Sequence, residues 1–376
     1  MGKGGRMGEQ ELLLEAPLHG DILGEILTRV PLIQLLPASR VSKSWRQSVA
    51  STLLHPSRVK PWLIVHVQSR RNPLVTITRA YDPGSNIWIE ITGVGSPLSS
   101  SLRSSHSNFL YTLSPSKFTF SFDALHDKWY ETVGPRVWRS DPIVSMIGSN
   151  VIVAGGVCDF EDDPLAVEIY DINSGHWEMC ESMPDMFKES SSSTWLSVAV
   201  ADAKMFLMEK CSGRICSFDP KTKIWKQPTT VRPDPSIFLF LMGSLSRDRL
   251  ILTGFIGEPE SVQGLKIYEV NCDPLDCKEI GEMPSWMLKK LQNDDSQLCL
   301  INITASENIV YVYNPADLRE IVYCDFANGE SKWGSVTGSG IDGSNWMNRS
   351  TFTCSKMSIT DLQKSFGSGD RKFTVK

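Results

Sequence analysis

A chain of 376 residues can bury a sizeable core, and 41% hydrophobic with 22% charged residues is globular composition, neither disordered nor fibrous. A formal charge of −5 lacks the basic field of a general nucleic-acid binder, and the longest apolar stretch, Ile237 to Met242, is far too short to span a bilayer. The 9 cysteines are scattered with no CxxC pair, and the Gly-rich start from Met1 to Gln10 has no secretory pattern, so a reducing, intracellular setting is expected, cytoplasmic or nuclear.

Residues 1–15 read as a flexible start and 16–58 as a helical unit. Ile22, Leu23, Ile26 and Leu27 recur at helical spacing behind Asp21, which is placed to favour a helix N-terminus. Pro31 ends that helix and suits the first turn of a second, Leu32 to Ala38. Val41, Trp45 and Val49 predict a third from Arg40 to Ala50. Three short helices bury little surface alone, so such a unit normally needs a partner to complete its core. Periodicity leaves two readings open: a partner-docking motif, or a helical cap on the downstream domain.

The run Leu18-x-x-Asp21-Ile22-Leu23-x-Glu25-Ile26-Leu27-x-Arg29-Val30-Pro31, followed by Arg40-Val41-Ser42-Lys43-Ser44-Trp45-Arg46, resembles an F-box. His19 stands where that family usually has Pro, and Ser42 where Cys is common; neither removes an apolar anchor. The resemblance implies docking on a Skp-type adaptor and, through it, a cullin and a RING subunit. It assigns core and adaptor contact to Leu18, Ile22, Leu23, Ile26, Leu27, Pro31, Leu32, Leu35, Val41 and Trp45. The local excess of Arg29, Arg40, Lys43, Arg46, Arg58 and Lys60 suits an acidic partner surface.

Beyond residue 59 one signature recurs: an aromatic, an Asp, five residues and a Trp. It stands at Tyr81-Asp82 to Trp88, Phe122-Asp123 to Trp129, Tyr170-Asp171 to Trp177 and Phe218-Asp219 to Trp225, with degenerate copies at Tyr268-Glu269 and at Tyr323-Cys324-Asp325. A period near 50 residues indicates a repeat architecture. The third unit shows the strands best: Pro142–Ile147, Asn150–Gly155, Leu165–Asp171 and His176–Met179, separated by turn residues. Four strands per repeat make a blade, and a ring of blades makes a β-propeller. The constant Asp-to-Trp interval predicts one turn geometry in every blade, with the Trp buried between neighbouring blades.

Gly155-Gly156, Tyr170 and Trp177 carry a resemblance to kelch repeats, although the Gly pair is lost in the other units. An F-box before such repeats is similar to the plant F-box/kelch-repeat proteins. The expected fold is therefore an all-β six-bladed kelch β-propeller over residues 59–366, preceded by a small α-helical F-box, with a flexible tail at 367–376. The first unit lacks its innermost strand, and Thr351 to Ile359 is strand-like and unclaimed, so it is expected to close the ring.

Second-to-third turns and blade-to-blade connections share one face of such a ring, and here they vary in length: Gly93–His106, Val157–Pro164, Glu181–Thr194, Gly257–Gly264 and Glu282–Gln297. Length variation on one face is how a rigid scaffold carries recognition loops. The acidic group Asp159, Glu161, Asp162 and Asp163 is the candidate for contact with a target, set against the plainer reading of a solvated loop. The six histidines form no HxH or HExxH, and GxSxG and P-loop motifs are absent, so neither catalysis, metal nor cofactor is expected. The resulting expectation is a non-catalytic substrate receptor for one or more target proteins, with no membrane or nucleic-acid partner. The alternative is a kelch scaffold or cytoskeletal adaptor. Leu18-His19-Gly20-Asp21 and Lys60-Pro61-Trp62-Leu63 resemble the branch linked to chalcone synthase, which implies a flavonoid-pathway target.

Overall fold

The computed structural model describes residues 20–53, 59–72, 74, 76–93, 100–159, 162–291, 301–327, 329–338, 348–367 and 371–376. The chain divides into two compact units, Met1–Arg58 and Val59–Lys376. In the first, α1 (Gly20–Thr28), α2 (Leu32–Ala38) and α3 (Lys43–Leu53) pack through Leu23, Leu27, Leu32, Ile33, Leu35, Leu36 and Val49. Pro31 precedes α2 in an extended conformation, which its ring favours and which breaks the chain direction after α1. The third helix starts at Lys43, not at Arg40, because the Ser42 side chain accepts the Trp45 backbone N–H at 3.2 Å and caps it.

The second unit is a ring of six antiparallel blades. Blades two to six run in chain order from the inside outward, with innermost strands Arg103–Ser104, Ile143–Ile147, Leu196–Ala201, Ile237–Ser246 and Asn302–Ser306. The first blade takes its innermost strand from the other end of the chain. Asn348–Lys356 pairs antiparallel with Pro61–Ser69 over nine residues, from Pro61 opposite Lys356 to Ser69 opposite Asn348. The expected closing strand is therefore present, beginning three residues earlier than its apolar pattern suggests.

The repeat signature is a hairpin device. Tyr81 lies directly opposite Trp88, Tyr170 opposite Trp177, and Phe218 opposite Trp225, with ring centroids 5.4, 5.3 and 4.9 Å apart. The intervening Asp turns the chain by accepting the backbone N–H two residues on: Gly84 at 2.9 Å, Asn173 at 3.1 Å and Lys221 at 2.8 Å. Four residues after the Asp the backbone enters the left-handed region, at Asn86, Gly175 and Lys223. Each indole then reaches the preceding blade. Trp177 Nε1 donates to Val133 O at 3.0 Å, Trp225 Nε1 to Glu181 O at 3.1 Å, and Trp88 Nε1 to Thr337 O at 3.0 Å. The last bond joins the first blade to the sixth.

Equal spacing does not impose equal geometry throughout. In the second blade the paired strands are Phe118–Ser121 and Tyr130–Thr132, so Phe122 and Trp129 do not oppose each other. Phe122 stacks on Tyr130 at 5.1 Å instead, and Asp123 collects the N–H groups of Leu125, Asp127 and Lys128. The sixth blade keeps the device with two extra residues: Cys324, which precedes Asp325, lies opposite Trp333. In the fifth, Tyr268 faces Glu279 and no Trp takes part. There the strands also lengthen to Arg249–Glu258 and Ser261–Val270, so Gly257–Gly264 is the tip of a tight hairpin and not a long loop.

The Gly pair of the third blade has a steric cause. Gly155 and Gly156 both have positive φ; a Cβ on the first would strike the Ser191 carbonyl, and one on the second would lie 2.9 Å from Ser140 O. Beside them a fully buried ion pair, Arg139 Nη2 to Glu168 Oε1 at 2.5 Å, is saturated by backbone groups: Glu168 also accepts the N–H groups of Arg136 and Val137, and Arg139 donates to Ala166 O.

Of the segment 367–376, expected to be a flexible tail, the described residues are structured. After a helix at Ile359–Gly367, Lys372–Val375 adds a fifth strand outside Ile87–Thr92. Arg371 joins this end to the second blade, donating to Leu125 O at 2.7 Å and His126 O at 2.9 Å and pairing with Asp127 at 2.8 Å. Its apolar signal is short, so only the guanidinium contacts reveal why it docks. His126 Nε2 meets Thr353 Oγ1 of the closing strand at 3.2 Å, and His66 lies against His126 with centroids 5.2 Å apart.

Two predictions follow from closure. A chain ending at residue 347 loses the nine-residue strand and leaves Pro61–Ser69 as an open edge; calorimetry should show no cooperative melt, and a soluble, sharply melting product would refute the closure argument. Burial lowers His106 to about 4 and, with Arg371 adding to it, His126 to about 3, while burial, His126 and Arg371 hold His66 well below 6.5. With the folded values depressed, the unfolded chain takes up the protons first; this stability is complete above about pH 6.5 and is lost as pH falls toward 4 and then 3. For His106 the linkage is on the order of 3 kcal/mol. Urea midpoints measured between pH 7 and 4.5 should fall steeply, and less so in His126→Gln; an equal slope in that variant would assign the loss to groups other than His126.

Candidate functional site

The ten F-box positions divide sharply. Leu23, Leu27, Leu32 and Leu35 point inward and form the helical core, while Pro31 and Trp45 are half-buried. Ile22, Ile26 and Val41 instead face solvent, at 65%, 43% and 63% exposure. Ile22 and Ile26 stand one turn apart on α1, so they share a helix face, and Val41 sits in the turn before α3. Leu18 lies outside the described residues. Buried leucines beside aliphatic side chains left in water are the arrangement of a docking surface more than of an isolated bundle. The Ser42 departure has a local function as the α3 cap.

On the propeller, the face of blade connections carries less free loop than length alone implies. Glu181–Thr194 contains a short 3₁₀ helix, Asp185–Ser190, whose Phe187 is fully buried against the third and fourth blades. In Glu282–Gln297 the described part forms α4 (Ser285–Leu291), with Met287, Leu288 and Leu291 in the core of blades five and six. These connections are packed inserts, legible in hindsight from their apolar residues.

The acidic candidates also part company. Asp163 is a turn group: its carboxylate accepts the Leu165 N–H at 2.9 Å and the Ser182 hydroxyl at 2.6 Å. Asp159 and Asp162 line an open cavity of about 560 Å³ with Val157, Lys188 and Trp195, the last exposed at 53%. Glu161 lies outside the described residues. An exposed indole beside two carboxylates is a stronger recognition feature than the acidic run by itself, and the sequence reading missed it because Trp195 falls outside the repeat signature. On the opposite face a cavity of about 720 Å³ opens among the first-to-second turns, lined by His106, Asn108, Gly148, Ala203, Arg247 and Glu307. His66 and His126 are the histidines brought together; among the described residues no group of three His, Cys, Asp or Glu side chains is placed to hold a metal.

Comparison with known proteins agrees with both units. An F-box domain is matched at residues 18–56. An F-box/kelch-repeat protein of Arabidopsis thaliana is 41% identical over 367 residues, covering 94% of this chain and 93% of its own length. The solved structure of YjhT shows a distant likeness at 12% identity and a TM-score of 0.40, over 60% of this chain and 74% of its own. A helical F-box, six blades and collinear identity along nearly the whole length together establish that the chain belongs to the F-box/kelch-repeat protein family.

Proposed function

We propose that the chain is the substrate-recognition subunit of a Skp–cullin–F-box ubiquitin ligase, acting in the cytoplasm or nucleus. The observation that carries this is the exposure of Ile22, Ile26 and Val41 on a helical unit whose Leu23, Leu27, Leu32 and Leu35 side chains are buried. Burying three aliphatic side chains on an adaptor supplies the docking energy, and the propeller supplies the surface for a target protein. The chain contributes proximity: it raises the effective concentration of target lysines at the ligase, and the bond-making chemistry belongs to other subunits. Modification would commit the target to proteasomal degradation.

The chalcone synthase reading concerns the target alone. Its supporting junction is part of the propeller frame: Trp62 and Leu63 are fully buried, Pro61 O accepts the Tyr311 hydroxyl at 2.8 Å, and Lys60 pairs with Asp325 at 2.7 Å. Leu18 and His19 lie outside the described residues. The target is therefore to be sought on the recognition face, whichever pathway it serves.

Co-purification with a Skp-type adaptor tests the proposal. The intact chain should capture adaptor and a chain starting at Val59 should not. Ile22→Ala, Ile26→Ala and Val41→Ala combined should weaken capture by roughly a hundredfold, from about 3 kcal/mol of lost apolar contact, with the melting temperature almost unchanged. Undiminished capture would move the contact elsewhere. A folded intact chain that captures none would favour the scaffold alternative.

A further inference from the structure

On the face of the blade connections, where the innermost strands begin, lies a cavity of about 130 Å³. Arg103, Asp141, Ser193 and Arg349 meet there, each at or beside the start of an innermost strand or, for Ser193, in the connection leading to one. Asp141 is the carboxylate of this lining, and its bonds are taken. Oδ1 accepts Arg103 Nη1 at 3.0 Å and the Ser193 hydroxyl at 2.6 Å; Oδ2 accepts the Thr194 N–H at 3.1 Å and hydroxyl at 2.6 Å. Lys210, lining the adjoining cavity, donates to Ser193 O at 3.0 Å and Thr194 O at 2.9 Å.

Arg349 is the unmatched member. It is half-buried, and among the described residues its guanidinium has no hydrogen-bond or ion-pair partner. Burial first, then the neighbouring Arg103, with a further contribution from Arg70, lowers its pKa, against the weaker opposing influence of Tyr111 and Asp141. The fully buried Arg139 has its carboxylate in Glu168; the half-buried Arg349 has none among the described residues. Cations gathered round one occupied carboxylate are costly to the fold and favourable to an arriving anion.

We propose that Arg103 and Arg349 form an anion site at this cavity that receives a carboxylate or phosphate group from a side chain of the target protein. Guanidinium groups hold either anion through paired, charge-assisted hydrogen bonds, and the restricted cavity strengthens them over a surface contact. The cavity is lined from five of the six blades, so side chains of several blades can read the residues flanking the anion. The proposal rests on the receptor reading for the identity of the bound group, yet its test needs no adaptor, so failure here leaves the capture experiment standing.

Thermal melts of the full chain in sodium phosphate, against sodium chloride of equal ionic strength, provide the first arm. Phosphate should raise the melting temperature of the parent by roughly 3 °C more than that of Arg349→Met, a comparison that removes general salting effects. In chloride, Arg349→Met should melt no lower than the parent, because relief of repulsion outweighs lost contacts; Arg349→Lys should keep most of the phosphate response. The second arm measures anisotropy of three fluorescein-labelled Gly-Ser peptides bearing three glutamates, three phosphoserines or three glutamines. At least one charged peptide should bind tenfold more tightly than the glutamine peptide and lose that preference in Arg349→Met; which one does identifies the anion. A methionine variant that melts lower in chloride, or that keeps the phosphate response, would make Arg349 structural. A phosphate response with no peptide preference would mean an adventitious ion only, and would overturn the assignment to a target.

Discussion

A ring of blades cannot be stable while one radial interface is open, and everything in the second unit depends on the pairing that closes it. The nine-residue ladder between Pro61–Ser69 and Asn348–Lys356 joins residues nearly 300 positions apart, so its loop-closure entropy is large and has to be met by many contacts formed together. They form on several levels. Backbone bonds close the first blade, Trp88 reaches back to Thr337 of the sixth, and Tyr311 of the sixth donates to Pro61 O. On the other side Thr351 donates to Leu102 O, and Thr353 meets His126. Phe352 of the closing strand stacks on Tyr313 of the sixth blade with centroids 3.7 Å apart, so that strand is tied to both neighbouring blades as well as to its own.

The rest of the ring is held by one contact repeated with local substitutions. An indole that packs on the aromatic opposite it, and donates to the carbonyl of the preceding blade, couples hairpin geometry to blade spacing. Where the hairpin changes, the tether changes with it. In the second and sixth blades Trp129 and Trp333 have no partner for Nε1 among the described residues. The second blade instead carries a dense aromatic stack through Phe109, Phe118, Phe120, Phe122 and Tyr130, and the third is pinned by the buried Arg139–Glu168 pair. A ring tolerates such variety because each interface needs enough buried area and satisfied polar groups, not one prescribed set of residues.

This is why blade number and closure were legible in the amino-acid order and much of the detail was not. Aromatic-Asp-Trp spacing is a local property, and a hairpin is decided largely by local turn chemistry, so the signature reported its own geometry correctly at Asp82, Asp171 and Asp219. It failed at Asp123, where spacing is the same but His126 and not Asp127 adopts positive φ, under the grip of Arg371 on the His126 carbonyl. That contact spans 245 residues, and no periodicity encodes it. For the same reason Lys372–Val375 read as a tail, and the inserts bearing Phe187 and Met287 read as loops. In the F-box, residue type identified the apolar positions, but a stripe does not say which members turn inward. Leu23 and Ile22 are adjacent and equally apolar; only the packing of α2 and α3 assigns one to the core and the other to solvent.

The two units treat unmet interactions differently, and the difference bears on function. The helical unit leaves apolar area exposed, which costs solubility but no strain, and which any complementary apolar surface relieves. The propeller leaves charge unmet within a frame otherwise careful to match it: Arg139 with Glu168, Arg371 with Asp127, Lys60 with Asp325 and Arg249 with Glu269 all find carboxylates. Against that background Arg349 is informative because it has no carboxylate partner among the described residues, and the nearby Asp141 is already engaged by Arg103, Ser193 and Thr194. The backbone that carries it is fixed, since the closing strand is paired along its whole length with Pro61–Ser69. The same ladder that holds the fold together therefore holds the Arg349 backbone beside the cavity, so the backbone part of the cost of presenting a guanidinium to an anion is borne on folding, and only the side chain remains to be ordered by a ligand.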